Sequence, residues 1–340
     1  MKRLKIAAGT AVVAASLTLA SAATPDEPAD GLVFDAMTAP ATVSYSGTVE
    51  AIDIGNHSEA SVYRIEHRAP DLTQRVYLSP PRLHGDSVVS RGDASYFVDP
   101  GRHRIVETEN DSSNDQIARD DNYLLLRANY RAVRRSAETF DGRTVREVVL
   151  VNKYTNRTTM LVRIDQQTKL VLDKQQFAPD GSLASETRFQ DVRYAPDPPV
   201  ADFDVPKGLT VVRGPTFTTP SKDVPAVVRA AGFEAAAPKF LPHGFSPVEA
   251  SLVPIKGVRT LHVLYSDGIR TVSLFENDGA STADLTSMHP QATQIAGRNA
   301  EYAERGPTTL LAWSYANLHC ALVGELPIAE LQRIAASVSP

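Results

Sequence analysis

Thr158-Thr159-Met160-Leu161-Val162-Arg163-Ile164-Asp165 and, after Gln166-Gln167-Thr168-Lys169, Leu170-Val171-Leu172-Asp173-Lys174-Gln175-Gln176-Phe177 decide the fold of this chain. Side chains alternate between the two faces of a strand. Val162, Ile164, Leu170 and Leu172 therefore fall on one face of two strands joined by a tight turn. The pattern extends both ways, with strands expected at 145–151 and 183–194, and Pro179-Asp180-Gly181 supplies the next turn, where Asp-Gly tolerates positive φ. Phe189 joins the same face, and the four segments predict an antiparallel meander.

Shorter alternating runs at 61–66, 74–78, 95–98 and 104–107 precede it. Val43, Tyr45, Gly47 and Val49 alternate, and the phase then shifts at Ile52 and Ile54, as a bulge near Gly47 produces. A helix is expected over 113–128, capped by Ser112 or Ser113 and carrying Ile117, Tyr123, Leu124, Leu125 and Leu126, with a shorter one over 30–37. The oxygen-rich run from Glu109 to Asp115 resembles a calcium loop only in its density of oxygens. It lacks the sixth-position glycine and has Asp120 where the loop takes glutamate, so capping of the helix explains it more simply. The package is α+β: a curved antiparallel half-barrel covered by a helix.

At the start, Lys2, Arg3 and Lys5 precede an uncharged run from Ile6 to Ala20 and the A-x-A site Ala20-Ser21-Ala22, which reads as an export signal spanning 1–22. Cleavage is expected after Ala22, with Ser21–Ala23 a neighbouring alternative. Of 35 basic and 40 acidic residues, loss of those three leaves 32 against 40, a formal charge of −8. That balance disfavours non-specific nucleic-acid binding. Cys320 is the single cysteine, so no intrachain disulfide forms, and its apolar neighbours predict a buried thiol.

Residues 23–194 thus make a first domain. Residues 195–225 hold seven prolines, Pro196, Pro198, Pro199, Pro206, Pro215, Pro220 and Pro225, which argue against regular structure and for a connector. Residues 226–340 make a smaller α+β domain, with strands at 248–253, 260–265, 269–276, 298–303 and 309–315. Its final helix carries Ile328, Leu331, Ile334, Ala335 and Val338 on one face.

Three motifs punctuate this last part: Leu241-Pro242-His243-Gly244-Phe245, Leu264-Tyr265-Ser266-Asp267-Gly268, and Leu322-Val323-Gly324-Glu325-Leu326-Pro327 after Trp313. In this order and spacing they resemble the C-terminal domain of the RseB/MucB family of periplasmic proteins. Phe140-Asp141-Gly142-Arg143, Leu161-Val162-Arg163-Ile164-Asp165 and Phe189-Gln190-Asp191-Val192 are similar to the same family's first domain, itself similar to LolA-type lipoprotein carriers. The resemblance implies a soluble periplasmic regulator of an extracytoplasmic-function sigma factor pathway. Its partner would be the periplasmic part of a membrane-bound anti-sigma factor, and its first domain would sense lipid or mislocalised lipoprotein. No enzyme activity, cofactor or metal is implied, and a homodimer is a candidate assembly. A LolA-type carrier and a secreted hydrolase with an unrecognised site are the alternatives.

Candidate lipid-binding residues are Val162, Ile164, Leu172 and Phe189 on the sheet with Tyr123, Leu124 and Leu126 on the helix. A filled core and a cavity share this one-dimensional pattern. Arg127, Arg131, Arg134 and Arg135 are candidates for an anionic head group of lipid or lipopolysaccharide, against the alternative of pairing with Glu138 and Glu147. No G-x-S-x-G, H-E-x-x-H or P-loop occurs, and the eight histidines show no metal spacing.

Overall fold

The computed structural model describes residues 29–339, except 56–57, 93, 110–121, 195–196, 214–218, 280–284 and 286–287. The expected export segment and the first part of the expected helix over 113–128 lie outside the described residues.

Among those described, twelve strands build one large sheet: β1 Tyr45–Asp53, β2 Glu59–Arg68, β3 Leu72–Ser79, β4 Ser87–Arg91, β5 Ala94–Asp99, β6 Arg104–Glu109, β7 Tyr130–Phe140, β8 Arg143–Asn152, β9 Thr158–Asp165, β10 Val171–Phe177, β11 Leu183–Arg193 and β12 Thr210–Arg213. Their spatial order is β12-β6-β5-β4-β3-β2-β1-β11-β10-β9-β8-β7, so the sheet is open rather than a closed barrel. Two meanders, β1 to β6 and β7 to β11, meet where β1 pairs antiparallel with β11. The expected bulge falls in that pairing, between Thr48 and Val49.

Helix α1, Ala29–Thr38, buries Leu32, Val33, Ala36 and Met37 against Val148, Leu150, Met160, Val162 and Ile164 of the sheet. Among the described residues most of the helical cover comes from α1. The described part of the expected longer helix is a single short element, α2 Tyr123–Asn129, which adds Leu126 to the same core.

The connector is more structured than its prolines suggest. Phe203 is fully buried at the end of a 3₁₀ turn, Val200–Phe203, and β12 pairs in parallel with β6. Proline blocks donation at its own position only, and the four residues of β12 contain none.

The second domain opens with α3 Val224–Ala230 and a short strand, β13 Ala237–Pro238. Then come β14 Ser246–Ile255, β15 Val258–Ser266, β16 Thr271–Asn277, β17 Gln291–Ile295, β18 Arg298–Arg305, β19 Thr308–Tyr315 and β20 Leu318–Gly324, followed by α4 Ile328–Ser337 and β21 Val338–Ser339, which pairs with β13. The seven-stranded sheet runs β14-β15-β16-β20-β19-β18-β17. Leu331, Ile334 and Ala335 of α4 share its core with Leu261, Leu274, Leu311, Trp313 and Leu322. Cys320 is buried there, and burial pushes its thiol up to about 12. The α+β expectation holds for both domains.

One buried acid in this core carries a pH signature. Glu276 is 1% exposed, accepts a bond from the Ala236 amide at 3.2 Å, and is pushed by burial from 4.5 to about 7. Between those two pH values the unfolded chain loses the proton that the folded chain keeps, so stability falls as pH rises through that window and stays reduced above it. Glu276→Gln is expected to stabilise the protein by about 1–3 kcal/mol at alkaline pH and to change little in strong acid. Thermal melts of both proteins at pH 4 and pH 8 check this.

Candidate ligand cavity and domain junction

A cavity of about 160 Å³ opens on the first domain, walled by Tyr45, Val49, Tyr63, Ile65, Leu170 and Phe189; His67, Arg75 and Lys174, the carboxylate of Asp71 and three hydroxyls make its polar lining. Its walls come from β1, β2, β3, β10 and β11, the strands nearest the seam between the two meanders. The ring of Tyr45 stacks on His67 at 4.8 Å and meets Phe189 edge-on at 5.8 Å. Burial pushes the phenols of Tyr45 and Tyr63 up to about 12.

His67 Nε2 lies 2.7 Å from the Pro40 carbonyl, which only accepts, so this nitrogen carries the proton. Nδ1 then accepts from the Thr73 hydroxyl at 2.9 Å in the neutral ring. Burial holds the imidazole below its ordinary value, in keeping with that state. Lys174 is 6% exposed, and burial pulls its ammonium down to about 8.

The residues expected to bind lipid divide among three places. Leu126, Val162 and Ile164 are buried under α1, with Tyr123 packed beside them, as filled core. Leu172 and Phe189 belong to the neighbouring cluster with Tyr45, Val49 and Tyr63, and of the seven residues Phe189 alone lines the cavity. Leu124 is 75% exposed.

The four arginines are also dispersed. Arg127 lies over the Tyr123 ring and 3.9 Å from Asp30, Arg131 donates to Asn156, and Arg135 donates to Glu147 at 3.0 Å. Arg134 shares β7 with Arg131 and Arg135. Glu138, the other expected partner, pairs with Arg163 instead. Among the described residues no cluster of histidine, cysteine, aspartate and glutamate is placed to hold a metal.

Sequence reading passed over the cavity's cations. Lys174 repeats the period of Leu170 and Leu172, so a charged residue at an apolar-facing position was the available signal.

The three motifs of the second domain dock on the first. Asn129 Nδ2, at the end of α2, donates to the carbonyls of Gly244 and Asp267, each at 2.9 Å. The Tyr130 hydroxyl donates to Asp267 Oδ2 at 2.6 Å, while Oδ1 of the same carboxylate accepts from the amides of Ile269 and Arg270. His243 stacks on Tyr154 at 5.4 Å, and Arg270 donates to the Phe177 carbonyl at 3.0 Å. From the third motif, Glu325 accepts from Gln176 at 3.5 Å.

Asp267 is 1% exposed, and burial raises its carboxyl while these donors pull the other way. Tyr130→Phe leaves that buried oxygen without its side-chain donor and is expected to cost about 1–3 kcal/mol. Because the lost bond joins two domains, faster proteolysis within the connector should accompany a lower melting temperature.

The fold and junction define a two-domain protein: a large curved open sheet with helical cover, and a smaller α+β domain seated against it through three turns. Residues 232–339 match the model of the MucB/RseB C-terminal domain. The second domain is thus a MucB/RseB C-terminal domain.

The structure of the Pseudomonas aeruginosa MucA/MucB complex aligns with 92% of this chain and 98% of that one, at 17% identity and a TM-score of 0.63. MucB in complex with MucA(peri) aligns over the same shares at 18% identity and a TM-score of 0.60. At these identities the likeness is one of fold. A LolA superfamily protein, NE2245 from Nitrosomonas europaea, aligns with 53% of this chain and 99% of that one, at 13% identity and a TM-score of 0.29. No curated protein matches the sequence. Among the described residues no helix is long and apolar enough to cross a membrane.

Proposed function

We propose that this chain is an exported, non-catalytic regulator that holds the periplasmic part of a membrane-bound anti-sigma factor and senses lipid or mislocalised lipoprotein through its first domain. The observation that carries the reading is the MucB/RseB C-terminal domain at 232–339, joined to a first domain in a frame that aligns with MucB bound to MucA over 92% of the chain. The motifs that mark the family here are also those that seat one domain on the other, so partner binding and ligand sensing have a shared structural joint. The positively charged, uncharged and A-x-A sequence of residues 1–22 supports export.

Capture experiments test it. The mature protein is immobilised and offered the periplasmic segments of the membrane anti-sigma factors encoded in its own genome. One segment is expected to bind specifically and to gain protection from proteolysis; the reading fails if none does.

A further inference from the structure

Lys174 is a buried cation that belongs to both halves of the molecule. On β10 it stands in register between Val162 of β9 and Thr187 of β11, and it lines the cavity together with Arg75. The strongest opposing charge acting on it is Glu325, which follows β20 in the second domain; Asp53 of β1 acts more weakly, and Arg75 repels it. Glu325 is in turn held by Gln176, two residues along β10. Glu325 is thereby held beside β10, two residues along from Lys174, and its charge acts on that ammonium across the junction.

The cavity's size and charge restrict what enters. About 160 Å³ compares with the ~150 Å³ that admits one benzene ring, so a short stretch of a single chain fits and a two-chain lipid does not. Val49, Ile65, Leu170 and Phe189 offer the apolar wall, whereas Lys174 and Arg75 place two positive charges at one site against the single carboxylate of Asp71. Two like charges in a confined space favour an anion between them.

We propose that the cavity binds the anionic head, carboxylate or phosphate, of a single-chain amphiphile at Lys174 and Arg75, and that the bound anion competes with Glu325 for Lys174, loosening the junction between the domains. This rests on the lipid-sensing part of the proposed function and gives it a ligand charge and a route to the second domain. Burial disfavours the ammonium of Lys174, and an anion beside it restores the charged form. Competition is reciprocal: if the ligand weakens the hold of Glu325, removing the charge of Glu325 strengthens the ligand by the same factor.

Calorimetry on the full mature chain, with decanoate, decyl phosphate and decanol below their aggregation concentrations, tests the inference. Decanoate or decyl phosphate, or both, should bind at least about tenfold more tightly than decanol, and comparison of the two anions tells carboxylate from phosphate. Lys174→Met should weaken the anion by about tenfold or more while Lys174→Arg retains it; if Lys174→Met does not fold, Arg75→Gln makes the same test. Glu325→Gln should tighten the anion about three- to tenfold, and in the wild type the anion should speed proteolysis within the connector.

Equal binding of decanol and the anions overturns the proposal and leaves lipid sensing standing. Failure of all three to bind overturns it together with the lipid-sensing part, while capture of the anti-sigma segment still reports on the partner. Unchanged anion affinity in Glu325→Gln overturns the route to the second domain.

Discussion

Gly268→Ala is expected to destabilise the protein by about 2–5 kcal/mol and to part its two domains. Gly268 sits in the turn between β15 and β16 with φ of +101°, a region that costs an L-residue about 1–2 kcal/mol. A Cβ there would stand 2.4 Å from the Leu126 amide nitrogen and 2.6 Å from its Cα. These are backbone atoms of α2 and cannot swing aside as a side chain can. Overlap of this kind adds about 1–3 kcal/mol.

The obstruction lies on the other domain, so the easiest relief is withdrawal of the turn, which breaks the bonds from Tyr130 and Asn129 to Asp267. A lower melting temperature, a larger radius in small-angle scattering and faster cleavage within the connector should therefore come together. Gly257→Ala is the control, because Gly257 also has positive φ, at +80°, but nothing within 4 Å of the added carbon. Equal losses in the two variants would show that the close approach to α2 carries no weight.

The second large effect is expected from Trp313. Its side chain is 5% exposed and packs in the core beneath α4, where it faces Cys320 on β20 and Ala300 on β18. Trp313→Ala empties that space and should cost about 3–5 kcal/mol. An anchor for a partner would be exposed in the free protein and cheap to remove, so this burial assigns the residue to the core. Among the described residues the indole Nε1 has no hydrogen-bond partner. Trp313→Phe keeps an aromatic ring and discards that unmatched donor, and should lose only about 1–2 kcal/mol. A denaturant series on the two variants measures both losses.

The parts of this fold that were legible in the sequence are those whose pattern is local. The meander β8 to β11 shows its period of two, α4 shows its helical stripe, and Asp267-Gly268 shows a turn. β7 showed none of this. It is an edge strand whose residues 131 to 139 are largely exposed, so arginines took the places where alternation would have been read. β12 was hidden by the prolines around it.

The cavity was harder still, because Val162 and Phe189 belong to one sequence pattern while only Phe189 reaches the empty space. The junction was invisible for a different reason. His243, Gly244, Asp267 and Gly268 serve as turn residues within their own domain, and their second role depends on Asn129, Tyr130 and Tyr154, more than eighty positions away. Nothing local records such a contact.

The seam of the large sheet also bears on how the chain is expected to assemble. Ser46 to Asp53 of β1 pair with Ser185 to Arg193 of β11, across nearly the whole first domain, whereas each meander closes through neighbouring strands. Contacts between distant residues must first overcome the entropy of closing a long loop, and they form slowly. Each meander can thus gather early while the join between them waits for the last strand. The cavity walls come from both sides of that join, so the cavity is complete only once the most distant pairing of the large sheet has formed.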